Sequence, residues 1–358
     1  MNLRNLAILQ PEVPHYREEF FAGLREQCGK ADIYVYNSQE AAAKNGFKVQ
    51  SEGVRFIPNM QWHGVLWYNP VKLLHKEYDT LVLMLHFAHL TTWLLLLTKF
   101  IHRKHIVLYG QGISVKRYLK EERKLDWKLR WMGAMADGVW LYMPKEEKQW
   151  KEIFPKKKIV ALNNTVTGMD DIVSYIPPMS KAELKEKYAI TEERLLIFCA
   201  RFTSPYRRVD LLLETIEKLD NKCFGFIIIG DGANKPDFTK YPNVHDFGAV
   251  YDVAVKRELF SIADIYFQPG WVGLSIVEAM GYGLPVFTFK RSLKTLQCVE
   301  YSYIEDRHNG RILGSMDDCL KAIAESESED IERMGREAKA LAITLLPTNM
   351  VNNALSIL

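Results

Sequence analysis

Several glycines and one carboxylate lie close together in the stretch PGWVGLSIVEAMGYGLPV, which runs from residue 269 to residue 286. A strand-like run precedes it and a short helical run follows, so the first glycines are predicted to lie at a strand-to-helix turn. Gly270 and Gly273 would let the backbone approach a ligand closely, and the amides of Gly273, Leu274 and Ser275 would face outward at the positive end of the helix. The pattern favours an anion, above all a phosphate, although glycines at this spacing can also serve only to form a tight turn.

Glu278 adds a second kind of chemistry to the same turn. It lies four residues after Leu274, so the two residues share one face of the helix. A carboxylate at this place can accept hydrogen bonds from paired hydroxyls, such as those of a ribose. Ligands of doubly wound sheets bind at the carboxyl ends of the strands, which is where this turn is predicted to lie.

The stretch resembles the nucleotide-sugar signature of the retaining, family 4 type of glycosyltransferase, usually Pro-Ser-x-x-Glu-Gly-Phe-Gly-Leu-x-x-x-Glu-Ala-Met-x-x-Gly-x-Pro-Val. The positions that match in register are Gly273, Leu274, Glu278, Ala279, Met280, Gly283, Pro285 and Val286. The resemblance implies the GT-B architecture and gives Glu278 the role of holding the nucleotide ribose.

One position departs from this pattern. The first glutamate of the signature, which contacts a donor-sugar hydroxyl in the family, falls at Gly270. The turn written Pro-Gly-x-Val-Gly-Leu resembles a polysaccharide-assembly subset of the family, which implies altered sugar recognition. A catalytically silent homologue is the alternative.

Two arginines supply cations upstream of this turn. The segment CARFTSPYRRVDLLLETI resembles the family's Gly-Arg-Leu-x-x-x-Lys-Gly-x-Asp, with one extra residue in the loop. Arg201 matches the family arginine and Arg207 falls where the family has lysine, so the resemblance implies that both neutralise the donor diphosphate. Guanidinium groups placed in advance stabilise the negative charge that grows on phosphate when a sugar leaves. Arg208 is an alternative partner, and plain solvent exposure of these arginines is the other interpretation.

Further positions follow from the resemblance. In FIIIGDGANKPDF, the turn Gly230, Asp231 and Gly232 would line the side of the site that holds the base. In the first half, QPEVPHYREEFFAGL resembles the opening of some polysaccharide-assembly members, which implies that Tyr16 and Arg17 lie near the cleft.

Two more first-half residues are candidates for the acceptor side. Gln111 stands in HIVLYGQGIS, where many members of the family carry a histidine after a strand. His86 ends a predicted strand and is either a cleft residue or a core histidine.

Short apolar runs separated by amphipathic stretches recur along the chain, which is typical of parallel strands covered by helices on both faces. The runs predict strands at Leu6–Leu9, Ile33–Tyr36, Val54–Ile57, Leu81–Leu85, Ile106–Tyr109, Val139–Tyr142, Ile159–Leu162, Leu195–Ala200, Phe224–Ile229, Ile265–Gln268 and Val286–Phe289. A chain of 358 residues is expected to divide them between two domains. A Pro-Pro pair and a charged segment place the linker near Thr165–Pro178. The resemblance implies an acceptor domain at 1–165, a nucleotide-sugar domain at 166–345 and a helix at 346–358 that returns to the first domain.

Composition and charge exclude some classes of protein. A formal net charge of +3 is too small to indicate nucleic-acid binding, and five scattered cysteines without a CxxC pair favour a reduced, cytoplasmic protein. The stretch Leu81–Phe100 carries histidines and threonines at its middle, so it predicts a buried strand and an apolar helix, with a membrane span as the alternative. The basic, aromatic stretches WLLLLTKFIHRKH and SVKRYLKEERKLDWKLRW indicate either solvated faces or peripheral contact with the inner face of the cell membrane.

The apolar runs predict an α/β protein with two Rossmann-like, doubly wound parallel-sheet domains, and the resemblance implies that the two domains face each other in the GT-B fold. The predicted reaction is transfer of a sugar, with retention, from a nucleotide-diphosphate donor, above all a UDP-sugar, to a saccharide or lipid-linked saccharide acceptor in cell-surface polysaccharide assembly. No Asp-x-Asp pair occurs, so neither a metal clamp nor a cofactor is expected and the cations must come from side chains. The alternatives are a GT-B sugar-nucleotide epimerase and a catalytically silent partner subunit of a glycosyltransferase complex.

Overall fold

The computed structural model describes residues 4–38 and 53–358. The chain forms two compact units, of which the first comprises residues 1–167 with 346–358 and the second comprises residues 168–345. The boundary lies within the Thr165–Pro178 stretch. The last helix, Pro347–Leu355, belongs to the first unit, where its Val351 side chain packs against Gly23.

The first unit is built on a parallel sheet. In the described part of the chain its strands are β1 (Asn5–Gln10), β2 (Lys30–Val35), β3 (Val54–Phe56), β6 (Thr80–Met84), β7 (His105–Gly110), β8 (Gly138–Leu141) and β9 (Lys158–Ala161), in the order β3-β2-β1-β6-β7-β8-β9. A separate antiparallel hairpin joins β4 (Asn59–Trp62) to β5 (Val65–Tyr68). The α-helices are Glu18–Gln27, Leu90–Leu97, Lys99–His102, Tyr118–Glu121, Trp127–Met135, Pro144–Ile153 and Pro347–Leu355, with 3-10 turns at His15–Arg17 and Val115–Arg117.

The second unit repeats this plan with its own parallel sheet. Its described strands are β10 (Arg194–Cys199), β11 (Phe224–Ile229), β12 (Val244–Asp246), β13 (Ile265–Phe267), β14 (Val286–Phe289) and β15 (Gly310–Leu313), in the order β12-β11-β10-β13-β14-β15. The α-helices are Met169–Ser174, Lys181–Lys187, Val209–Lys218, Val253–Ile262, Ser275–Gly281, Met316–Ala324 and Ser328–Thr344, with 3-10 turns at Pro205–Arg207 and Val299–Tyr303. Both units thus have the strand order of a Rossmann-like, doubly wound sheet.

Helices cover both faces of the first sheet, and this explains the continuous apolar runs. On β1, Ala7 and Leu9 pack into one core, while Leu6 and Ile8 pack into the core on the opposite face. All four side chains are fully buried. Because both faces of such a strand are buried, its consecutive residues are all apolar and do not alternate with polar residues.

The predicted strands all form, with ends that either match or are shifted by one to three residues, and the structure adds strands that the apolar runs did not indicate. These are β12, β15 and the hairpin of β4 and β5. Strands β12 and β15 lie at the two edges of the second sheet. Strands β12, β15 and β4 are partly exposed and contain polar residues, which interrupt the apolar pattern. Strand β5 is apolar in sequence, but only two of its four residues are buried.

The stretch Leu81–Phe100 folds as the sequence predicts, with strand β6 first and the apolar helix Leu90–Leu97 after it. Within residues 4–38 and 53–358, no helix has both the length and the apolar character needed to cross a membrane.

Candidate functional site

The second unit places the predicted donor residues at the point where its strand order reverses. Strands β10 and β13 are hydrogen-bonded neighbours, and the later strands extend the sheet away from them in opposite directions. Loops that follow such a pair diverge and leave a crevice at the carboxyl edge of the sheet, where ligands bind. The loop after β10 carries Arg201 and Arg207, and the loop after β13 carries Gly270 and Gly273.

Two buried glutamines hold the turn after β13 in shape. The Gln268 side-chain amide donates to the Trp271 carbonyl over 2.8 Å, and Gln268 Oε1 accepts from Ser275 Oγ over 3.0 Å. Gln297 Oε1 accepts from the Val272 amide over 2.8 Å. Both glutamine side chains are fully buried. Because a buried amide must be hydrogen-bonded, these contacts fix the path of the backbone through the turn.

Arg207 points its guanidinium at this turn. Its Nη1 donates to the Trp271 carbonyl over 2.8 Å. The side chain is partly buried, and burial lowers the pKa of Arg207 from its ordinary value, with nearby Arg201 lowering it further. In the part of the chain that the structure describes, no carboxylate forms an ion pair with Arg207. A partly buried cation beside a second cation is costly unless an anion joins them, so this arrangement favours an anion site.

Arg208, the alternative diphosphate partner, is engaged elsewhere. Its Nη2 donates to Asp210 Oδ2 over 2.6 Å, and its Nη1 donates to Thr295 Oγ1 over 2.5 Å. Its backbone adopts a left-handed conformation with φ of 54°. The structure therefore favours Arg207 over Arg208 as the cation at the turn.

Three backbone amides at the start of the helix after β13 are available to a ligand. Within the described residues, the amides of Gly273, Leu274 and Ser275 donate to no acceptor. A Cβ atom added at Gly273 would meet only Cys298 Sγ, at 3.9 Å, so the space in front of this residue is open. Unpaired amides beside the Arg207 guanidinium are suited to bind phosphate oxygens.

Gly270 lies against other protein segments, whereas Gly273 faces open space. It is buried, and a Cβ atom at this position would lie 2.6 Å from the Tyr206 carbonyl oxygen and 2.8 Å from Arg208 Cγ. The close approach at Gly270 is therefore to the segment before the helix Val209–Lys218. No side chain fits at position 270 without movement of that segment, and a donor contact by Gly270 stays a prediction.

Glu278 is paired with a lysine that the sequence did not reveal. Lys256, on the helix Val253–Ile262, places its Nζ 2.6 Å from Glu278 Oε1 and 2.7 Å from Oε2. Burial disfavours the charged form of Lys256, but the Glu278 carboxylate outweighs it, so the net effect is a raised pKa for Lys256. A carboxylate has about four lone-pair positions, so Glu278 can accept ribose hydroxyls while it is bound to Lys256.

The turn Gly230, Asp231 and Gly232 lies against the loop that carries Arg201. A Cβ atom at Gly230 would collide with the Ala200 carbonyl, and one at Gly232 would lie 2.6 Å from the Phe202 carbonyl oxygen. Both glycines have positive φ angles, 144° and 147°. Asp231 and Gly232 also line an open depression of about 840 Å³. The glycines thus allow two loops at the carboxyl edge to approach each other closely.

In the first unit, the structure buries the side chain of Arg17, which the resemblance placed near the cleft. The Arg17 guanidinium donates to the Thr165 carbonyl over 3.1 Å and to Asn164 Oδ1, and it lies 5.5 Å from the ring of Tyr16. These contacts tie the turn after β1 to the loop after β9, so Arg17 acts inside the fold. Tyr16 is partly exposed and remains a candidate for contact with a ligand.

His86 and Gln111 follow the neighbouring strands β6 and β7, so both lie at the carboxyl edge of the first sheet. His86 is exposed, which excludes the alternative of a core histidine, and Gln111 is partly exposed. The buried histidine is instead His89, whose Nδ1 has no hydrogen-bond partner within the described residues. Burial, with a smaller contribution from His86, lowers the pKa of His89 to about 3.

Sequence reasoning missed four residues that shape the donor site, namely Lys256, Gln268, Trp271 and Gln297. Gln268 had a usable signal, because a glutamine that directly follows a buried strand must find hydrogen-bond partners. Lys256 and Gln297 come from segments that approach the site only through the tertiary fold. The left-handed backbone of Trp271, with φ of 52°, has no signature in its residue type.

Comparison with known proteins agrees with this architecture. Residues 193–326 match the family model described as Glycosyl transferases group 1. A search of curated protein sequences gives no match.

Several solved structures resemble the whole chain. HepE of Anabaena in complex with UDP is 14% identical, with a TM-score of 0.67 over 99% of this chain and 98% of that chain. A glycosyltransferase from Rickettsia africae is 16% identical, with a TM-score of 0.66 over 100% and 98%. A protein assigned as a UDP-N-acetylglucosamine 2-epimerase from Listeria monocytogenes is 11% identical, with a TM-score of 0.57 over 99% and 95%.

The two parallel sheets and these structural neighbours show that the chain has the α/β GT-B fold with two Rossmann-like domains. The match to the group 1 model, residues 193–326, lies within the second of these domains.

Proposed function

We propose that this protein is a retaining glycosyltransferase of the family 4 type that uses a nucleotide-diphosphate sugar, a UDP-sugar above all. Its acceptor would be a hydroxyl of a saccharide or lipid-linked saccharide in cell-surface polysaccharide assembly. The second unit would hold the donor, and the first unit would hold the acceptor. The single observation that carries the proposal is Arg207, a partly buried cation without a carboxylate partner among the described residues, beside unused amides at the carboxyl edge of the sheet.

The diphosphate would bind between the Arg207 guanidinium and the amides of Gly273, Leu274 and Ser275. Charge-assisted hydrogen bonds from a preorganised guanidinium strengthen as negative charge develops on the leaving diphosphate. Arg201, whose charge acts on Arg207, would contribute to the same site. In this proposal side chains supply the positive charge that stabilises the leaving group.

The nucleoside would lie along the same edge of the second sheet. Glu278 would accept hydrogen bonds from the ribose, and the turn Gly230, Asp231 and Gly232 would lie on the side of the base. The complexes of Anabaena HepE with UDP and with UDP-glucose support a uridine nucleotide as the donor to try first. In the first unit, Tyr16, His86 and Gln111 are the proposed acceptor-side residues.

Thermal melting with a panel of nucleotides and nucleotide sugars tests the donor class. A ligand that binds only the folded protein raises its apparent stability by about 2.7 kcal/mol at a concentration 100 times the Kd. We expect UDP and one or more UDP-sugars to raise the melting temperature and adenine nucleotides to have no effect. A melting curve that no nucleotide diphosphate shifts would count against the proposal.

A sugar-nucleotide epimerase is the second candidate, because the Listeria monocytogenes protein shares the fold over nearly the whole chain. The two activities give different products from a sugar nucleotide. A glycosyltransferase releases free nucleotide diphosphate only as sugar is transferred to an acceptor or to water, whereas an epimerase converts the sugar nucleotide itself. Incubation of each UDP-sugar without any acceptor, followed by chromatography of the nucleotide sugars, distinguishes them.

Contact with a membrane surface is a further part of the proposal, and it rests on an exposed apolar ridge of the first unit. The ridge consists of Leu90, Leu94, Leu97, Phe100, Ile101, Trp127 and Trp131. Each of these side chains is between 39% and 77% exposed. They lie on the helices Leu90–Leu97, Lys99–His102 and Trp127–Met135, of which the first and third are in contact. A cluster of this size on a soluble surface is typical of a site that contacts another apolar phase.

Exposed basic side chains lie on the helix Trp127–Met135 and on the segment that precedes it in the chain. Lys120, Arg123, Lys124 and Arg130 are exposed, and none of them forms an ion pair within the described residues. Lysine and arginine near an anionic bilayer each contribute about 1 kcal/mol of attraction. Apolar side chains that can enter the interface, flanked by unpaired cations, complement the anionic inner face of a cell membrane.

Sedimentation with vesicles tests this surface. We expect the protein to bind vesicles that contain phosphatidylglycerol and to bind phosphatidylcholine vesicles weakly. The double variant Phe100→Gln and Trp131→Gln should lose most of the binding. The control variant Leu293→Gln, which changes an even more exposed apolar residue of the second unit, should bind like the wild type. Equal losses in both variants, or no binding by the wild type, would contradict membrane contact by the ridge.

A further inference from the structure

Trp271 adopts a backbone conformation that its residue type disfavours. Its φ angle is 52°, in the left-handed region where a bulky side chain is a true outlier. Such a conformation costs about 1–3 kcal/mol and persists only when the surrounding structure enforces it. Glycine would remove the strain, so the presence of tryptophan at this position calls for a reason other than backbone geometry.

The backbone of Trp271 is held at both of its polar groups. Its amide donates to the Leu296 carbonyl over 2.8 Å. Its carbonyl accepts from Arg207 Nη1 and from Gln268 Nε2, each over 2.8 Å. These three hydrogen bonds compensate the strain and fix the direction in which the indole leaves the chain.

Core packing does not explain the indole either. Trp271 is partly exposed, and its ring stacks on Tyr206 with a centroid distance of 4.9 Å and an interplanar angle of 23°. Tyr206 is itself 37% exposed. Within the described residues, neither the indole N–H of Trp271 nor the hydroxyl of Tyr206 has a hydrogen-bond partner. The pair is therefore an aromatic surface with two unused polar groups, and not part of a core.

We propose that Trp271 and Tyr206 form a platform on which the sugar ring of the donor stacks, an inference that rests on the proposed function. A sugar ring has a face of C–H groups, which is attracted to the negative face of an aromatic ring, and a rim of hydroxyls that can pair with an indole N–H. In a sugar nucleotide, the sugar is bonded directly to the terminal phosphate. Arg207, the proposed diphosphate ligand, donates to the carbonyl of Trp271 itself, so the platform adjoins the place where that phosphate would lie.

Gly270, the neighbour of Trp271, explains why the donor sugar would be recognised by an aromatic ring at this turn. Gly270 has no room for a side chain, because a Cβ atom would lie 2.6 Å from the Tyr206 carbonyl oxygen. Position 270 therefore offers the sugar no polar side chain. Stacking on Trp271 supplies affinity and orientation that position 270 cannot, and it makes Trp271 the residue that determines which sugars fit.

Calorimetric titration tests the platform with UDP and a panel of UDP-glucose, UDP-galactose and UDP-N-acetylglucosamine. The variants are Trp271→Gly, which removes the ring and suits the left-handed backbone, and Trp271→Phe, which keeps an aromatic face. Trp271→Gly should bind UDP within about twofold of the wild type. It should bind the preferred UDP-sugar roughly three- to tenfold more weakly, the range of one aromatic contact. Trp271→Phe should keep most of the affinity for the sugar nucleotide.

Three results would overturn the platform. If Trp271→Gly lowers the affinity for UDP and for the UDP-sugar by the same factor, Trp271 acts through the shape of the turn. If neither affinity changes, the ring contacts no part of the donor. If the wild type binds none of these nucleotides, the proposed function fails and the platform fails with it. The first two results, by contrast, leave nucleotide binding by the wild type intact and overturn the platform alone. Thermal melting of Trp271→Gly checks that the fold is kept.

Discussion

Removal of the Glu278 carboxylate should weaken nucleotide binding, but the structure shows that the single variant also disturbs the fold. Glu278→Ala leaves the Lys256 ammonium without its partner, and the two side chains are only 18% and 28% exposed. Breaking an exposed pair costs about 0–1 kcal/mol and breaking a buried one about 3–5, so this intermediate pair is expected to cost about 1–3 kcal/mol. At about 2–4 °C per kcal/mol for a unit of this size, the melting temperature should fall by roughly 2–12 °C.

A second substitution separates the fold from the site. Lys256→Met in the Glu278→Ala background removes the unpaired cation and keeps the apolar stem, so most of the lost melting temperature should return. The double variant still lacks the carboxylate. Hydrogen bonds to a charged group contribute about 1.5–3 kcal/mol, so its affinity for UDP should fall by roughly 10- to 100-fold.

Calorimetry with UDP and 2′-deoxy-UDP is the assay for the ribose contact. The wild type should prefer UDP, and the double variant should bind both nucleotides with equal, low affinity. A double variant that binds UDP as tightly as the wild type, or that keeps the preference for UDP, would refute the role of Glu278.

The pH dependence of this ion pair has a defined sign. The net pKa of Lys256 is raised in the folded state above its ordinary value of 10.5, because the carboxylate of Glu278 outweighs the effect of burial. A raised pKa contributes stability that is fully present below the ordinary pKa and is lost as the pH rises through the folded value. The difference in melting temperature between the wild type and Glu278→Ala should therefore be constant from about pH 6 to pH 9 and shrink only in strong alkali. A difference that changes across neutral pH would contradict this account.

Three further predictions concern single residues. Arg207→Met should weaken UDP binding roughly 10- to 100-fold in calorimetry while leaving the melting temperature nearly unchanged, because a partly buried cation is removed and Gln268 still donates to the Trp271 carbonyl. Gly273→Ala should keep the fold but lower UDP affinity, because the added Cβ atom would occupy the open space in front of the free amides. The control variant Gly314→Ala should bind UDP like the wild type, because its added Cβ atom would meet only Asp318 Oδ2, at 3.7 Å. His89→Leu should reduce acid sensitivity in urea denaturation: the lowered pKa of about 3, against about 6.5 when unfolded, costs the wild type about 2 kcal/mol between pH 7 and pH 5. Equal acid sensitivity in the wild type and His89→Leu would show that other groups dominate.

The central strands of both units were predictable from sequence because their residues are buried on both faces. Runs such as Phe224–Ile229 contain no polar interruption, and β11 has the same bounds in the structure. The strand-turn-helix order around Gly273 followed from the same runs. Strand β12 was not predictable, because its three residues Val244–Asp246 include a histidine and an aspartate and so do not form an apolar run.

The candidate site was predictable in its local parts and not in its tertiary ones. Glu278 could be found from its helical spacing to Leu274, and Arg207 from the resemblance of its segment to the family pattern. Lys256 could not, because its contact with Glu278 joins two helices that are separate in sequence. The resemblance placed Arg17 near the cleft but gave no sign that its guanidinium bonds to Asn164 and Thr165, which are far along the chain. A residue type and its neighbours do not specify which side of a turn is covered by a distant segment.

The central claim is that the turn after β13 binds a nucleotide diphosphate through Arg207. Calorimetric titration of UDP into the wild type and into Arg207→Met tests this claim most directly. Saturable binding by the wild type and binding at least tenfold weaker by the variant are the expected results. The claim is contradicted if the wild type does not bind UDP, or if Arg207→Met binds it with unchanged affinity.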